Sequence, residues 1–118
     1  MLSKHGTLES AILSTLWNLE NNGIFTNSVK DVFDILAKNS DEKRAYTTIK
    51  TVMDRLHEKN ILLRYKQGRK FYYRTAYSNQ EIVINSLNEI ANRYCAGDLS
   101  KLALIFNNLL KDTQLISA

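Results

Sequence analysis

Apolar residues recur every three or four positions in the first sixty residues and predict three short amphipathic helices. In chain order these positions are Leu8, Ile12, Leu13, Leu16, Trp17 and Leu19; Val29, Val32, Phe33 and Leu36; and Ile49, Val52, Met53 and Leu56. Thr7 is placed to cap the first helix, and Ser28 with Asp31 three residues later gives an N-cap signal for the second. We expect the three helices to pack as a compact bundle.

The pattern changes period after the third helix. From Leu62 the sequence LLRYKQGRKFYYR alternates between apolar and basic residues on either side of Gln67-Gly68. Two β-rich runs around a glycine turn predict a β-hairpin, whose tip at residues 66–70 is basic. Three helices followed by a hairpin is the order of a winged helix-turn-helix domain, although many small α+β domains share parts of it. The predicted fold class is α+β and mostly helical.

Beyond Tyr77 the chain carries two further apolar stripes that are separated near Gly97. The second stripe is too apolar for a helix that is half exposed on a monomer of this size. Burial against a second copy is the simplest outcome, because two-fold dimers are the commonest oligomers. Packing back onto the N-terminal bundle is the alternative. We predict a domain at 1–76, a helical dimerisation region at 77–118, and a dimer interface formed by Leu87, Ile90, Tyr94, Leu102, Ile105, Phe106 and Leu109.

The overall composition narrows the class of protein. Hydrophobic residues make up 44% and charged residues 24% of the 118 residues, as in ordinary globular proteins. No apolar run approaches the roughly 20 residues that cross a bilayer, and the first twenty residues lack a signal-peptide pattern. The single cysteine fits a reducing compartment. We therefore expect a cytoplasmic protein with no membrane partner.

Positive charge is concentrated in one stretch of the chain. Residues 43–74 hold ten Lys and Arg against Asp54 and Glu58, a net charge of +8, whereas the whole chain has +4. Such a confined positive field favours a polyanionic partner. A solvated basic face with no such partner is the alternative.

The outward face of the third helix carries the sharpest functional signal. Threonines on this face suit base edges and thymine methyls, while its lysines and arginines reach phosphates and guanine. The basic hairpin tip is able to straddle the adjacent backbone or minor groove. We expect Thr47, Thr51 and Lys50 at base edges and the other cations, with Thr48, mainly on phosphates. The predicted DNA-binding residues are Arg44, Thr47, Thr48, Lys50, Thr51, Arg55, Lys66, Arg69 and Lys70.

Residue constellations typical of enzymes are missing from the sequence. Neither His5 nor His57 has a second histidine or a cysteine at metal-ligand spacing. Cys95 is interpreted as an apolar filler at a helix end, and Gly68 as a turn glycine. We predict a DNA-binding regulator without enzymatic activity, metal or cofactor. A winged-helix module for protein–protein assembly is the alternative, and a ligand-gated regulator is a lesser variant.

The stretch from Ala45 to Arg74 resembles the penicillinase-repressor family, also called the BlaI/MecI/CopY family. The family hallmarks are a Thr-Thr-x-x-Thr-x-x-x-Arg-Leu recognition helix, a Lys-Gly-x-Leu link and a Gly-Arg-x-x-x-Tyr wing. The matching residues are Thr47, Thr48, Thr51, Arg55 and Leu56; Lys59, Asn60 and Leu62; and Gly68, Arg69 and Tyr73. The resemblance covers about residues 1–110. It implies a winged-helix homodimer that represses promoters by binding double-stranded DNA at a pseudo-palindromic operator.

Departures from the family pattern limit what the resemblance implies. Asn60 replaces a glycine, and we expect it to adopt the left-handed conformation that asparagine tolerates. The copper-responsive branch needs paired C-terminal cysteines, so Cys95 alone does not imply copper sensing. In the antibiotic-responsive branch a protease cuts an Asn-Phe bond. Ile105-Phe106 stands at that position here, so inactivation by a protease is not carried over. The last dimerisation helix is expected to be short.

Overall fold

The structure is a computed structural model that describes residues 5–39 and 43–117. The chain divides into two compact units, Met1–Asn79 and Gln80–Ala118. Its elements are, in order, α1 (His5–Asn21), α2 (Val29–Asn39), α3 (Tyr46–Glu58), β1 (Leu62–Gln67), β2 (Lys70–Thr75), α4 (Asn79–Tyr94) and α5 (Leu99–Ser117). Three helices followed by a two-stranded antiparallel hairpin form a winged helix, as the sequence predicts.

The core of the first unit lies between its three helices and the hairpin. Apolar positions from each predicted stripe meet there, which confirms the helical spacing. Each fully buried aliphatic side chain stabilises the fold by about 1.5–3 kcal/mol relative to exposure. The buried members are Ile12, Leu13, Leu16, Val29, Val32, Ile49, Val52, Met53, Leu56, Leu62 and Tyr73.

Local backbone interactions set the helix boundaries. The backbone N–H of Ser28 donates to Asp31 Oδ2 at 2.8 Å, and the Asp31 N–H donates to Ser28 Oγ at 3.2 Å. This reciprocal pair is a capping box, as predicted for α2. Asn60 follows α3 with a φ of 63°, which confirms the predicted left-handed residue. Thr7 does not cap α1, because that helix begins at His5 and an N-cap residue needs a non-helical backbone.

The wing, defined as residues 62–75, is closed by a two-residue turn at Gly68-Arg69. Gln67 pairs with Lys70 across the turn, and Gly68 has the positive φ of 62° that a tight hairpin turn requires at this position. The other end of the wing is joined to the helices. The backbone N–H of Tyr73 donates to the Asn27 carbonyl at 2.8 Å, and Thr75 donates from its N–H and its hydroxyl to Glu20. The wing is therefore fixed at its base and exposed at its tip.

The second unit contains α4 and α5. The backbone N–H of Gly97 donates to the Ala91 carbonyl at 2.9 Å, and Ala96 and Gly97 have positive φ angles, which ends α4 in a tight reversal. Ala91 and Cys95 are buried, but most other apolar side chains of this unit are exposed. No helix among residues 5–39 and 43–117 is long and apolar enough to cross a membrane.

Candidate nucleic-acid interface

The outward face of α3 and the wing tip are both open to solvent. Burial of Ile49, Val52, Met53 and Leu56 turns the opposite side of α3 away from the core. The hairpin tip is likewise exposed at residues 66–70. All nine residues predicted to bind DNA are exposed: Arg44, Thr47, Thr48, Lys50, Thr51, Arg55, Lys66, Arg69 and Lys70.

The two threonines at the centre of this face are coupled along the helix. The Thr51 hydroxyl donates to the Thr47 carbonyl at 2.8 Å, one turn earlier. That hydrogen bond uses the hydroxyl proton, so Thr51 offers its methyl group and the oxygen lone pairs to a partner. An apolar methyl beside an acceptor is suited to a thymine methyl or to an exocyclic amine in a major groove.

A network of charged groups centres on Asp54. Lys50 Nζ donates to Asp54 Oδ2 at 2.8 Å, and Tyr73 Oη donates to Asp54 Oδ1 at 2.8 Å. Arg64 Nη1 lies 3.6 Å from the same Oδ1. Burial opposes ionisation of Asp54, but the hydrogen bonds from Lys50 and Tyr73 and the nearby positive charges outweigh it and lower the Asp54 pKa. The carboxylate is therefore ionised at neutral pH.

The pKa values of Lys50 and Tyr73, the two hydrogen-bond partners of Asp54, are raised rather than lowered. The hydrogen bond to Asp54 and its negative charge raise the pKa of Lys50. Burial, followed by the hydrogen bond to Asp54, raises the pKa of Tyr73. At neutral pH the lysine thus keeps its charge and the tyrosine keeps the proton that it donates.

The inner face of the wing carries cations stacked on an aromatic ring. The Arg64 guanidinium lies 4.5 Å from the centroid of Phe71, and Lys66 Nζ lies 5.7 Å from it. These are cation–π distances. In the part of the chain that the structure describes, the tip residues Arg69 and Lys70 form no salt bridge. The wing therefore presents cations packed on Phe71 near α3, and at its tip Arg69 and Lys70, which form no salt bridge among the described residues.

A basic groove of about 430 Å³ runs between the start of α2, α3 and the wing. It brings together Lys50 and Lys70, which the sequence predicts as contacts, with Lys30, Arg64 and Tyr46, which sequence reasoning missed. Arg64 shares the alternation of Lys66, but the sequence does not reveal which hairpin face turns toward α3. The lining residues are Ser28, Val29, Lys30, Asp31, Tyr46, Lys50, Arg64, Lys70, Phe71 and Tyr73.

The second unit presents an apolar surface. Of the seven predicted dimerisation residues, Leu102 is half-buried and the others are exposed: Leu87, Ile90, Tyr94, Ile105, Phe106 and Leu109. The exposed fraction reaches 76% at Tyr94 and 59% at Leu109. Ile105 and Phe106 lie inside α5. Among the described residues, no group of three or more His, Cys, Asp or Glu is arranged to hold a metal ion.

Comparison with known proteins agrees with this architecture. The profile of the penicillinase repressor family matches residues 5–116. The transcriptional regulator BlaI of Mycobacterium tuberculosis, from strains CDC 1551 and H37Rv, is 32% identical to this chain over 82 residues. The match covers 70% of this chain and 55% of each relative, so the chain spans about half the length of the curated relatives it matches.

Proposed function

Because the chain belongs to the penicillinase repressor family, we propose that it is a transcriptional repressor that binds operator DNA as a homodimer. The observation that carries the proposal is the exposed face of α3, on which threonines and cations stand beside a basic wing. Residues 1–76 form the DNA-binding domain and residues 77–118 the dimerisation region. The protein acts by occupying DNA, without enzymatic activity.

In this proposal α3 enters the major groove and the wing lies on the adjacent backbone or minor groove. Thr47 and Thr51 approach base edges, together with Lys50. The Thr51 hydroxyl proton is used in the hydrogen bond to the Thr47 carbonyl, and its methyl group contacts a base directly. The other predicted contacts lie on phosphates and position the helix without reading sequence: Arg44, Thr48, Arg55, Lys66, Arg69 and Lys70.

A homodimer supplies the sequence readout that one helix lacks. A single recognition helix reads a few base pairs, too few to select a promoter among the roughly 10⁶–10⁹ competing sites of a genome. Two copies on a two-fold axis address half-sites one helical turn or a multiple apart. The exposed apolar residues of α4 and α5 are the surface on which the second copy binds. A two-fold dimer would pair this surface with the same surface of the second copy.

Selection of bound duplexes from a random pool tests the proposal. We expect a symmetric sequence to be enriched, and its affinity to fall with salt at a log–log slope of about −5 if roughly six phosphates are neutralised. The competing hypothesis, a winged helix used for protein–protein assembly, predicts no enrichment. No measurable affinity for any duplex at ~50 mM salt would refute the repressor proposal.

A further inference from the structure

One carboxylate joins α3 to both strands of the wing. Asp54, on the outward side of α3, accepts hydrogen bonds from Lys50 and Tyr73 and lies within ion-pair distance of Arg64. Arg64 on β1 and Tyr73 on β2 are directly paired across the hairpin. The Asp54 side chain therefore contacts Lys50, which we propose to approach base edges, and both strands of the wing, which we propose to lie on the DNA backbone or minor groove.

We propose that Asp54 is a positioning residue that increases the sequence discrimination of this protein. It fixes the wing relative to α3 and orients Lys50 and Arg64 before DNA arrives. The inference rests on the proposed function, because it concerns how the same interface distinguishes an operator from other DNA. Asp54 performs this role without contacting DNA.

The negative charge of Asp54 has opposite consequences for sequence discrimination and for overall affinity for DNA. A carboxylate on a surface that faces phosphates opposes the binding of every duplex, since the electrostatic attraction is sequence-independent. Any favourable contribution of Asp54 to operator binding must therefore come through geometry. Lysine and arginine side chains have many rotamers to lose on binding, and a side chain that is already ordered loses less. Asp54 forms an ion pair with Lys50, and Asp54 and Phe71 both contact Arg64, so we expect these contacts to restrict the rotamers of the two cations.

The fold has other anchors for the wing, so the role of Asp54 can be tested in a folded protein. The Tyr73 ring is in the core, and its backbone N–H is bound to Asn27. Thr75 is held by Glu20. Loss of the Asp54 carboxylate therefore releases the side chains at the interface while the base of the wing stays in place.

The chain contains a matched control for Asp54→Asn. Asp34 on α2 pairs with Lys30 at 3.3 Å in the same i,i+4 arrangement as Asp54 with Lys50. In the described structure the hydrogen bond and salt bridge of Asp34 are with Lys30 alone. Asp34→Asn therefore removes one negative charge and one helical ion pair without affecting the wing. Tyr73→Phe provides the complementary change, because it removes the hydroxyl and leaves the charge unchanged.

The experiment compares two probes, a duplex selected from a random pool by the unmodified protein and a scrambled duplex of equal length and composition. We expect Asp54→Asn to bind the scrambled duplex at least as tightly as the unmodified protein, and to lose about tenfold in the ratio of the two affinities. Tyr73→Phe should lower that ratio without tightening the scrambled complex. Asp34→Asn should tighten both complexes equally and leave the ratio unchanged.

Amide hydrogen exchange in the free protein gives a readout that does not depend on DNA. Exchange in the outer part of the wing, residues 64–71, should be faster in Asp54→Asn and Tyr73→Phe than in Asp34→Asn, while the anchored amides of Tyr73 and Thr75 should stay protected. If Asp54→Asn shifts both affinities as Asp34→Asn does, Asp54 acts only through its charge and the inference is wrong. If the unmodified protein does not discriminate between duplexes, the proposed function fails. Unchanged exchange in the wing would then overturn the positioning role as well, whereas faster exchange would support it.

Discussion

The two units of this protein use their apolar residues in opposite ways. In the first unit the apolar stripes of three helices and the hairpin cover one another, and the side chains at their centre are fully buried. In the second unit the stripes of α4 and α5 leave large side chains such as Phe106 and Leu109 more than half exposed. Exposed apolar area costs about 25 cal/mol per Å² relative to burial. The first unit therefore completes its own core, whereas the second leaves an apolar surface that we propose a second copy covers.

The largest effect should follow from a charge placed in the second unit. Phe106→Asp or Leu109→Asp should yield a monomer at micromolar concentration with a folded N-terminal domain and weak operator binding. Loss of one large buried side chain costs about 2–5 kcal/mol, and in a dimer the change occurs in both subunits. Sedimentation measures the assembly state, and circular dichroism confirms the retained fold.

Asn107→Asp is the matched control for this substitution, because it places the same charge on a neighbouring exposed position of α5. It should leave the dimer intact. If the unmodified protein sediments as a monomer at ~100 μM, the dimer proposal is wrong and the apolar stripe packs back on its own chain.

A smaller effect should distinguish the core of the first unit from the proposed dimer interface of the second. Leu56→Ala in the first unit should lower the free energy of unfolding by about 2–5 kcal/mol at every protein concentration, because its cavity lies within one chain. Leu109→Ala should be destabilising mainly where the dimer is populated, because the interface forms by mass action. Urea unfolding of Leu56→Ala and Leu109→Ala at two protein concentrations measures this difference. Equal concentration dependence in the two variants would contradict the comparison.

Within the first unit, the helix and the wing should differ in what they contribute to DNA binding. Thr51→Ala should cost about 1–3 kcal/mol and relax preference at one operator position, because its methyl group is proposed to contact a base. Lys70→Ala should weaken binding to all sequences alike and reduce the salt slope by about one. Binding to a panel of single-position operator variants measures both. Identical profiles for the two proteins would invalidate this division.

The smallest effect concerns pH. The pKa of Asp54 is lower in the folded protein than its ordinary value near 4, so its contribution to stability is present above that value. The contribution is lost as the pH falls through the folded pKa, when the carboxylate gains a proton and Lys50 and Arg64 lose their partner. Asp54→Asn should therefore lose less stability than the unmodified protein between neutral pH and acid. Urea unfolding across this range tests the sign, with Asp34→Asn as the control for loss of one carboxylate.

Sequence patterns predicted the first unit well, because its stability depends on periodic burial. The spacing of Ile49, Val52, Met53 and Leu56 alone sets which side of α3 is outward, and thus which threonines and cations are exposed. The contacts of Asp54 could not be predicted in this way. They join α3 to two strands, and the rotation of the hairpin over the helix depends on packing that no local pattern encodes.

The second unit was harder to interpret from sequence for a related reason. An apolar stripe indicates that a surface is to be covered, but its periodicity does not identify what covers it. Leu102 is half-buried and Phe106 is exposed, although both belong to the same stripe. The partner surface lies outside the local pattern, so the dimer stays a prediction.

The indole of Trp17 gives the protein a built-in optical probe. It is the single tryptophan of the chain, and its Nε1 donates to the carbonyl of Tyr77, just after the wing returns to α1. Indole emission depends on hydrogen bonding and on the polarity around the ring. Tryptophan fluorescence therefore reports whether the Trp17–Tyr77 hydrogen bond between α1 and the segment after the wing is formed, in an unlabelled protein and in real time.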